Sequence, residues 1–220
     1  MRDLNQLIIK FDYQQNFKDN DFYVSSSNGH IFSLLNRWPD WEKNFLNISG
    51  EKFSGKTHLI NIFLKKFNGI KIDSKKFSND DLKKIKPYQN IILEDLDNNI
   101  DEKLIYSLLN IIDLENKYII ITSKVPIVDI KFTLNDLISR TKNFLLFDIH
   151  KPDDDLMFAL ILKNLSDRQI TVDKKLINFI IKRIERSYDK IFDFIYKVDE
   201  LSLKKKKPIN FKIISEVLGE

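Results

Sequence analysis

The sequence predicts an α/β fold, with a five-stranded parallel sheet covered by helices and followed by a small all-helical domain. Three observations carry this. From Phe45 onward, short continuous apolar runs alternate with helical patterns, as expected for strands buried on both faces of a parallel sheet. The first run, Phe45-Leu46-Asn47-Ile48-Ser49, leads into Gly50-Glu51-Lys52-Phe53-Ser54-Gly55-Lys56-Thr57 and then into a helix, so G-x-x-x-x-G-K-T stands in the strand–loop–helix setting of a P-loop. After His150 the strand signal stops and only helical periodicity remains.

Residues 1–20 read as irregular, rich in Gln, Asn and Asp. Phe22-Tyr23-Val24 is a short apolar segment, and Ser25-Ser26-Ser27-Asn28 can cap a helix over 29–37 with Ile31, Leu34 and Leu35 on one face. Pro39 disfavours helix at Trp38 and ends it. Leu59, Ile60, Ile62, Phe63 and Phe67 give the helix after the P-loop one buried face, and Asn68-Gly69 stops it. Strands follow at 70–72, 90–94, 118–122 and 144–149. Between them lie a helix capped by Ser78 and running to about 85 and helices at 100–114 and 133–140. In the helical part, Pro152 reads as a first-turn proline ahead of Asp153, Asp154 and Asp155, which suit a helix N-terminus. Asp173 caps a second helix, a third spans 190–203, and Asn210 caps a fourth. The expected division is a tail over 1–20, an α/β domain over 21–150 and a helical domain over 151–220.

Composition bounds the chemistry. A chain of 220 residues with 43% hydrophobic content can bury a real core and is not a disordered chain. Cysteine is absent, so no disulfide or thiolate metal site forms, and His30, His58 and His150 have no ligand spacing. No secretory leader pattern and no run of about eighteen apolar residues is present, which points to a cytoplasmic protein without a membrane span. Net charge is +4, from 36 basic and 32 acidic residues, a weak signal for nucleic acid. Lys204-Lys205-Lys206-Lys207, followed by Pro208, reads as a solvated turn between helices rather than a phosphate site.

The chemistry-bearing residues cluster at strand ends. Gly50 and Gly55 allow close backbone approach to a phosphate, and Lys52, Phe53, Ser54 and His58 complete the loop and helix start. Lys56 suits the β and γ phosphates of ADP or ATP, and the Thr57 hydroxyl suits Mg²⁺. The third strand ends in Glu94-Asp95. Glu94 is placed to hold Mg²⁺ through water and Asp95 to orient an attacking water, with Asp97 close behind. Thr122 and Ser123 end the fourth strand, where a polar side chain can meet the γ-phosphate or its water. Arg140 precedes the fifth strand, where it can stabilise transition-state charge in a neighbouring subunit or, equally by chemistry alone, serve as a helix C-terminal charge.

Taken together, these segments resemble the AAA+ ATPases, and among them the DnaA-related proteins of the Hda type, regulatory inactivators of the initiator DnaA. The segments are Phe22 with the serine run to Asn28, Arg37-Trp38-Pro39-Asp40-Trp41, the P-loop through Leu59, Ile121-Thr122-Ser123-Lys124-Val125-Pro126 and Leu137-Ile138-Ser139-Arg140. The resemblance covers nearly the whole chain. It implies that Phe22, Val24 and Asn28 wrap the adenine and that Arg140 is an arginine finger acting on DnaA-bound ATP. It also implies that Gln6, Leu7, Ile9 and Phe11 dock in the DNA polymerase III sliding clamp; the residues alone read as a frayed terminus. The chain stops after the lid, so the initiator's helix-turn-helix domain, and with it sequence-specific DNA binding, is expected to be absent. A homo-oligomer is an open expectation. Two departures bear on hydrolysis by this chain itself. The family's lid arginine has no clear counterpart in Ser187-Tyr188-Asp189-Lys190: either Lys190 substitutes, as a point charge that does not reproduce a planar fork, or the contact is lost. The Glu94-Asp95 order is also unusual for the family. The competing readings are an autonomous ATPase of the DnaA or helicase-loader type and a nucleotide-dependent binding module without catalysis.

Overall fold

The computed structural model describes residues 22–168, 170 and 172–219. The tail residues Gln6, Leu7, Ile9 and Phe11 lie outside them. Five parallel strands form one sheet: β1 (Phe45–Ser49), β2 (Gly69–Asp73), β3 (Asn90–Leu96), β4 (Tyr118–Ser123) and β5 (Leu145–Asp148). Their order across the sheet is β2-β3-β4-β1-β5. β1 is an inner strand, flanked by β4 (Ile48 beside Thr122, Ser49 beside Ser123) and by the edge strand β5 (Ser49 beside Asp148). The loop after β1 therefore opens at the carboxyl edge of the sheet, where α/β proteins place ligands.

Successive strand residues face opposite sides, and both sides are apolar. Ile91 and Leu93 of β3, with Ile119 and Ile121 of β4, join the helix residues Ile105, Leu108 and Ile112 in one cluster. That face is covered by α4 (Glu102–Leu114) and α5 (Asn135–Thr141). The alternate residues Ile92 and Ile120 pack with Leu46, Ile48, Ile31, Leu59, Ile60 and Phe63 under α1 (Gly29–Asn36) and α2 (Lys56–Lys66). Burying one such aliphatic side chain contributes about 1.5–3 kcal/mol, so the double-sided strands account for much of the domain's stability.

A short helix, α3 (Asn79–Lys84), lies between β2 and β3; Ser78 and Asp81 close its N-terminus in a capping box. The helical lid contains α6 (Asp154–Asp167), α7 (Lys174–Ile181), α8 (Tyr188–Lys205) and α9 (Phe211–Leu218). Met157, Ile161, Ile177, Ile191, Ile195 and Ile214 centre a separate apolar cluster there. Asp173 and Asn210 cap α7 and α9 as the sequence predicts, accepting from Lys175 N and Ile213 N. Three other local expectations are corrected. Pro152 lies before the cap of α6 rather than in its first turn; Asp153 is the cap and accepts from Leu156 N. Asn28 precedes α1 but makes no capping bond, because its amide is spent on Tyr23 O and Ser25 N, closing the turn that precedes the helix. Gly69 begins β2 rather than ending a helix by a turn, and a Cβ there would lie 2.7 Å from Asn90 O, so the residue permits close strand approach.

Candidate functional site

The P-loop is built as its residue types require. Gly55 caps α2 at φ +94, and Gly50 sits at φ +152, where a Cβ would press on Ser54 Oγ at 3.0 Å and Ile149 Cβ at 3.1 Å. Between them Phe53, with a side chain, takes φ +65. That left-handed conformation costs about 1–2 kcal/mol. Two contacts hold the Phe53 ring: it stacks on Phe192 of α8 at 4.6 Å, and Lys52 Nζ lies 4.7 Å from its centroid.

Lys56 is buried, and its Nζ donates to the carbonyls of Gly50 (2.7 Å) and Glu51 (2.8 Å). Burial pushes its pKa down, while Asp95, Asp148, Glu51 and Glu94 act in the opposite direction, Asp95 most strongly. Four carboxylates thus offset part of the desolvation of a single cation at the start of α2. The helix N-terminus adds its own unpaired N–H groups, which favour an anion.

A cavity of about 860 Å³ opens over this loop, between the sheet edge and the lid. Of the residues expected from the sequence, Phe22, Asn28, Lys52, Phe53, Ser54, Gly55, Lys56, Thr57, His58 and Asp95 line it. His58 meets the Phe22 ring edge-on at 5.3 Å. The lid contributes Leu156, Phe158, Tyr188 and Phe192, among others.

Gly50, Val24, Glu94, Thr122, Ser123, Lys190 and Arg140 are not among the lining residues. Val24 is exposed. Thr122 is fully buried and accepts from Asp95 N at 3.0 Å. Ser123 donates to Val125 O and accepts from Asn47 Nδ2. Lys190 is exposed on the outside of α8. Arg140 stands on α5, 3.7 Å from Asp113 and with its guanidinium 5.3 Å from the Tyr106 ring centre, both on α4.

The two carboxylates at the end of β3 are separated by a bulge between Leu93 and Leu96. Glu94 pairs with Lys71 at 3.1 Å through Oε2, while its buried Oε1 has no hydrogen-bond partner. Asp95 takes φ +56, a position that bulges favour at functional sites. Its backbone is gripped from both sides: Ser74 Oγ donates to Asp95 O at 2.7 Å, and Asp95 N donates to Thr122. The bulge carries Asp95 into the cavity lining. Among the described residues no group of three or more His, Asp or Glu side chains is set to hold a metal ion by itself. Mg²⁺ needs only one or two protein ligands beside phosphate and water, and the Thr57 hydroxyl, which lines the cavity, fits that donor set; Glu94, outside the lining and paired with Lys71, would act only through water.

Several residues escape the sequence pattern. Glu51 Oε2 accepts from Ser187 Oγ (2.9 Å) and Tyr188 N (3.1 Å), so a P-loop side chain closes the N-terminus of α8. Tyr188 donates its hydroxyl to His150 O at 3.0 Å, and burial pushes its phenol pKa up. Asp153 ties the lid to the serine loop, accepting from Ser26 Oγ (2.6 Å) and Ser27 Oγ (3.3 Å). Burial would raise the Asp153 carboxyl, but hydrogen bonds from Ser26, Leu156 N–H, Ser25 and Ser27 outweigh it and hold it below its ordinary range. Asn47, fully buried in β1, donates to Ile121 O and Ser123 Oγ and accepts from Ile127 N at 2.8 Å. Its signal was a lone amide in an apolar strand.

The fold is that of AAA+ P-loop domains, a five-stranded parallel sheet followed by a helical lid. The chain superposes on domain III of the replication initiation protein DnaA from Thermotoga maritima with a TM-score of 0.73, at 18% identity, covering 92% of this chain and 95% of that one. AMPPCP-bound DnaA from Aquifex aeolicus gives a TM-score of 0.65 at 19% identity, over 86% of this chain and 69% of that one. In sequence, the chain is 24% identical over 213 residues to an uncharacterized protein of Haemophilus influenzae, covering 90% of this chain and 92% of the relative. No family model matches. Among the described residues no helix is long and apolar enough to cross a membrane.

Proposed function

We propose that this chain is a nucleotide-binding AAA+ adaptor that holds ADP or ATP with Mg²⁺ and promotes hydrolysis of ATP bound to DnaA, lowering replication initiation. The observation that carries the nucleotide reading is the buried Lys56 at the head of α2, facing a large cavity lined by the P-loop, Phe22, Tyr23 and the lid. In this reading Lys56 and the loop N–H groups hold the phosphates, Thr57 takes Mg²⁺ with Glu94 acting through water, and Phe22 with Tyr23 faces the base. The DnaA of known structure with AMPPCP bound has the same fold, which supports this use of the cavity.

The adaptor role rests on Arg140. Its side chain is kept off this chain's own cavity and only partly buried against Tyr106 and Asp113. An arginine so placed is available to a nucleotide held by another subunit, where such a group typically accelerates hydrolysis by about 10³–10⁵. Attachment to the sliding clamp through Gln6, Leu7, Ile9 and Phe11 would bring it to loaded DNA. The test is hydrolysis of DnaA-bound ATP in the presence of clamp, DNA and this protein. Arg140→Ala is expected to abolish stimulation while leaving nucleotide affinity unchanged; equal stimulation by the variant removes the adaptor reading. A second reading, hydrolysis by this chain alone, is favoured by one observation: Asp95, gripped by Ser74 and Thr122, lines the cavity beside Lys56. Robust turnover by the isolated protein, lost in Asp95→Asn, would favour it.

A further inference from the structure

We propose that Glu51 is a positioning residue that transmits phosphate binding at the P-loop to the lid; this rests on the nucleotide reading of the cavity. Glu51 lies at a junction. Its backbone carbonyl accepts from Lys56 Nζ, and its carboxylate accepts from both Ser187 Oγ and Tyr188 N at the N-terminus of α8. A phosphate competes for the same Lys56 Nζ that holds the Glu51 carbonyl. Any anion that draws Lys56 away therefore removes a restraint from the residue that holds α8.

The neighbouring contacts point the same way. Two residues after Glu51, Phe53 is kept in a left-handed conformation and stacks on Phe192. Tyr188 and Phe192 are one helical turn apart on α8, and both line the cavity. The face of α8 that meets the phosphate loop is thus engaged by Glu51 and Phe53, which lie between the two loop glycines. Lys190, on the same helix, is exposed and outside the cavity lining. Coupling that a lid cation would supply through a direct phosphate contact instead runs from Lys56 through Glu51 and Phe53 to α8. Reciprocity follows: if phosphate binding shifts the lid, removing the lid contact must change nucleotide affinity by the same factor.

The absence of cysteine makes the test direct, because two labels can be placed without background. Lys103→Cys on α4 and Glu200→Cys on α8, both exposed positions, report the lid-to-sheet distance by pulsed electron paramagnetic resonance. Mg–ADP is added to the parent, Glu51→Ala, Glu51→Gln and Phe192→Ala, and the affinity of each for a fluorescent ADP analogue is titrated separately. The parent is expected to show a nucleotide-dependent shift in the distance distribution. Glu51→Ala loses that shift while still binding, with affinity changed by about fivefold or more. Glu51→Gln keeps the acceptor oxygen for Ser187 and Tyr188 and retains the shift, and Phe192→Ala weakens it. A Glu51→Ala protein that binds and shifts as the parent does overturns the inference and leaves the nucleotide reading standing. Absence of saturable binding in the parent overturns the nucleotide reading itself, and the inference with it.

Discussion

Replacing Thr122 with valine tests how the Asp95 bulge is held. The Thr122 side chain is fully buried, and its Oγ1 takes the Asp95 N–H at 3.0 Å. Valine has nearly the same shape but cannot accept, so that N–H is left unpaired at the carboxyl edge of the sheet. Asp95 itself is exposed, so water reaches the freed N–H and the cost is that of one lost hydrogen bond, about 0.5–1.5 kcal/mol. Asp95 also carries the cost of φ +56, and its other restraint is Ser74 Oγ on its carbonyl. The expected loss is therefore roughly 0.5–1.5 kcal/mol, and at about 2–4 °C per kcal/mol for a chain of this size Tm falls by roughly 1–6 °C. Urea and thermal denaturation measure the energy, and hydrogen exchange at the Asp95 amide locates it. Thr122→Ser, which keeps the acceptor and loses a methyl group, should destabilise by about 1 kcal/mol yet preserve the Asp95 amide's protection. A valine variant as stable as the parent, with the Asp95 amide equally protected, would refute the reasoning.

Two further predictions concern groups that join elements distant in sequence. Asn47→Ala removes the partner of Ile127 N and two bonds to β4, and is expected to cost roughly 2–4 kcal/mol in urea denaturation. Asp153→Asn weakens the charge-assisted bonds from Ser26 and Ser27 and should cost roughly 1 kcal/mol at pH 7. Because the folded Asp153 carboxyl lies below its ordinary value of 3.8, its contribution is fully present above that value and is lost as the pH falls through the folded one. The acid arm of the stability curve should therefore be shallower in Asp153→Asn than in the parent.

Much of the fold is legible from local pattern. Ile91 to Leu93 and Ile119 to Ile121 are apolar without alternation because both faces of their strands are covered, and that condition is written in the residues themselves. The P-loop is legible because Gly50, Gly55, Lys56 and Thr57 must stand at fixed spacing. Other features depend on residues far apart in sequence. Asn90 to Glu94 reads as a strand that ends in two carboxylates, yet the strand runs on to Leu96 and Asp95 is turned within it by Ser74 and Thr122, which meet it only once β2, β3 and β4 are aligned. Glu51 is an unremarkable loop residue until Ser187, 136 positions later, is brought to it. Pro152 offered a plausible helix start, but Asp153 won the cap because it also reaches the serine loop. Thr122 and Ser123 were legible as polar strand ends; their partners, Asp95 N and Asn47, were not.

Nucleotide binding itself is the most direct measurement. Isothermal titration of Mg–ADP and Mg–ATP into the purified protein and into Lys56→Ala compares the site with and without its buried cation. Charge-assisted bonds to phosphate contribute about 1.5–3 kcal/mol, so the variant should bind roughly ten- to a hundredfold more weakly than the parent. Equal affinity in the two proteins, or no binding by the parent, would contradict the assignment of this cavity to a nucleotide.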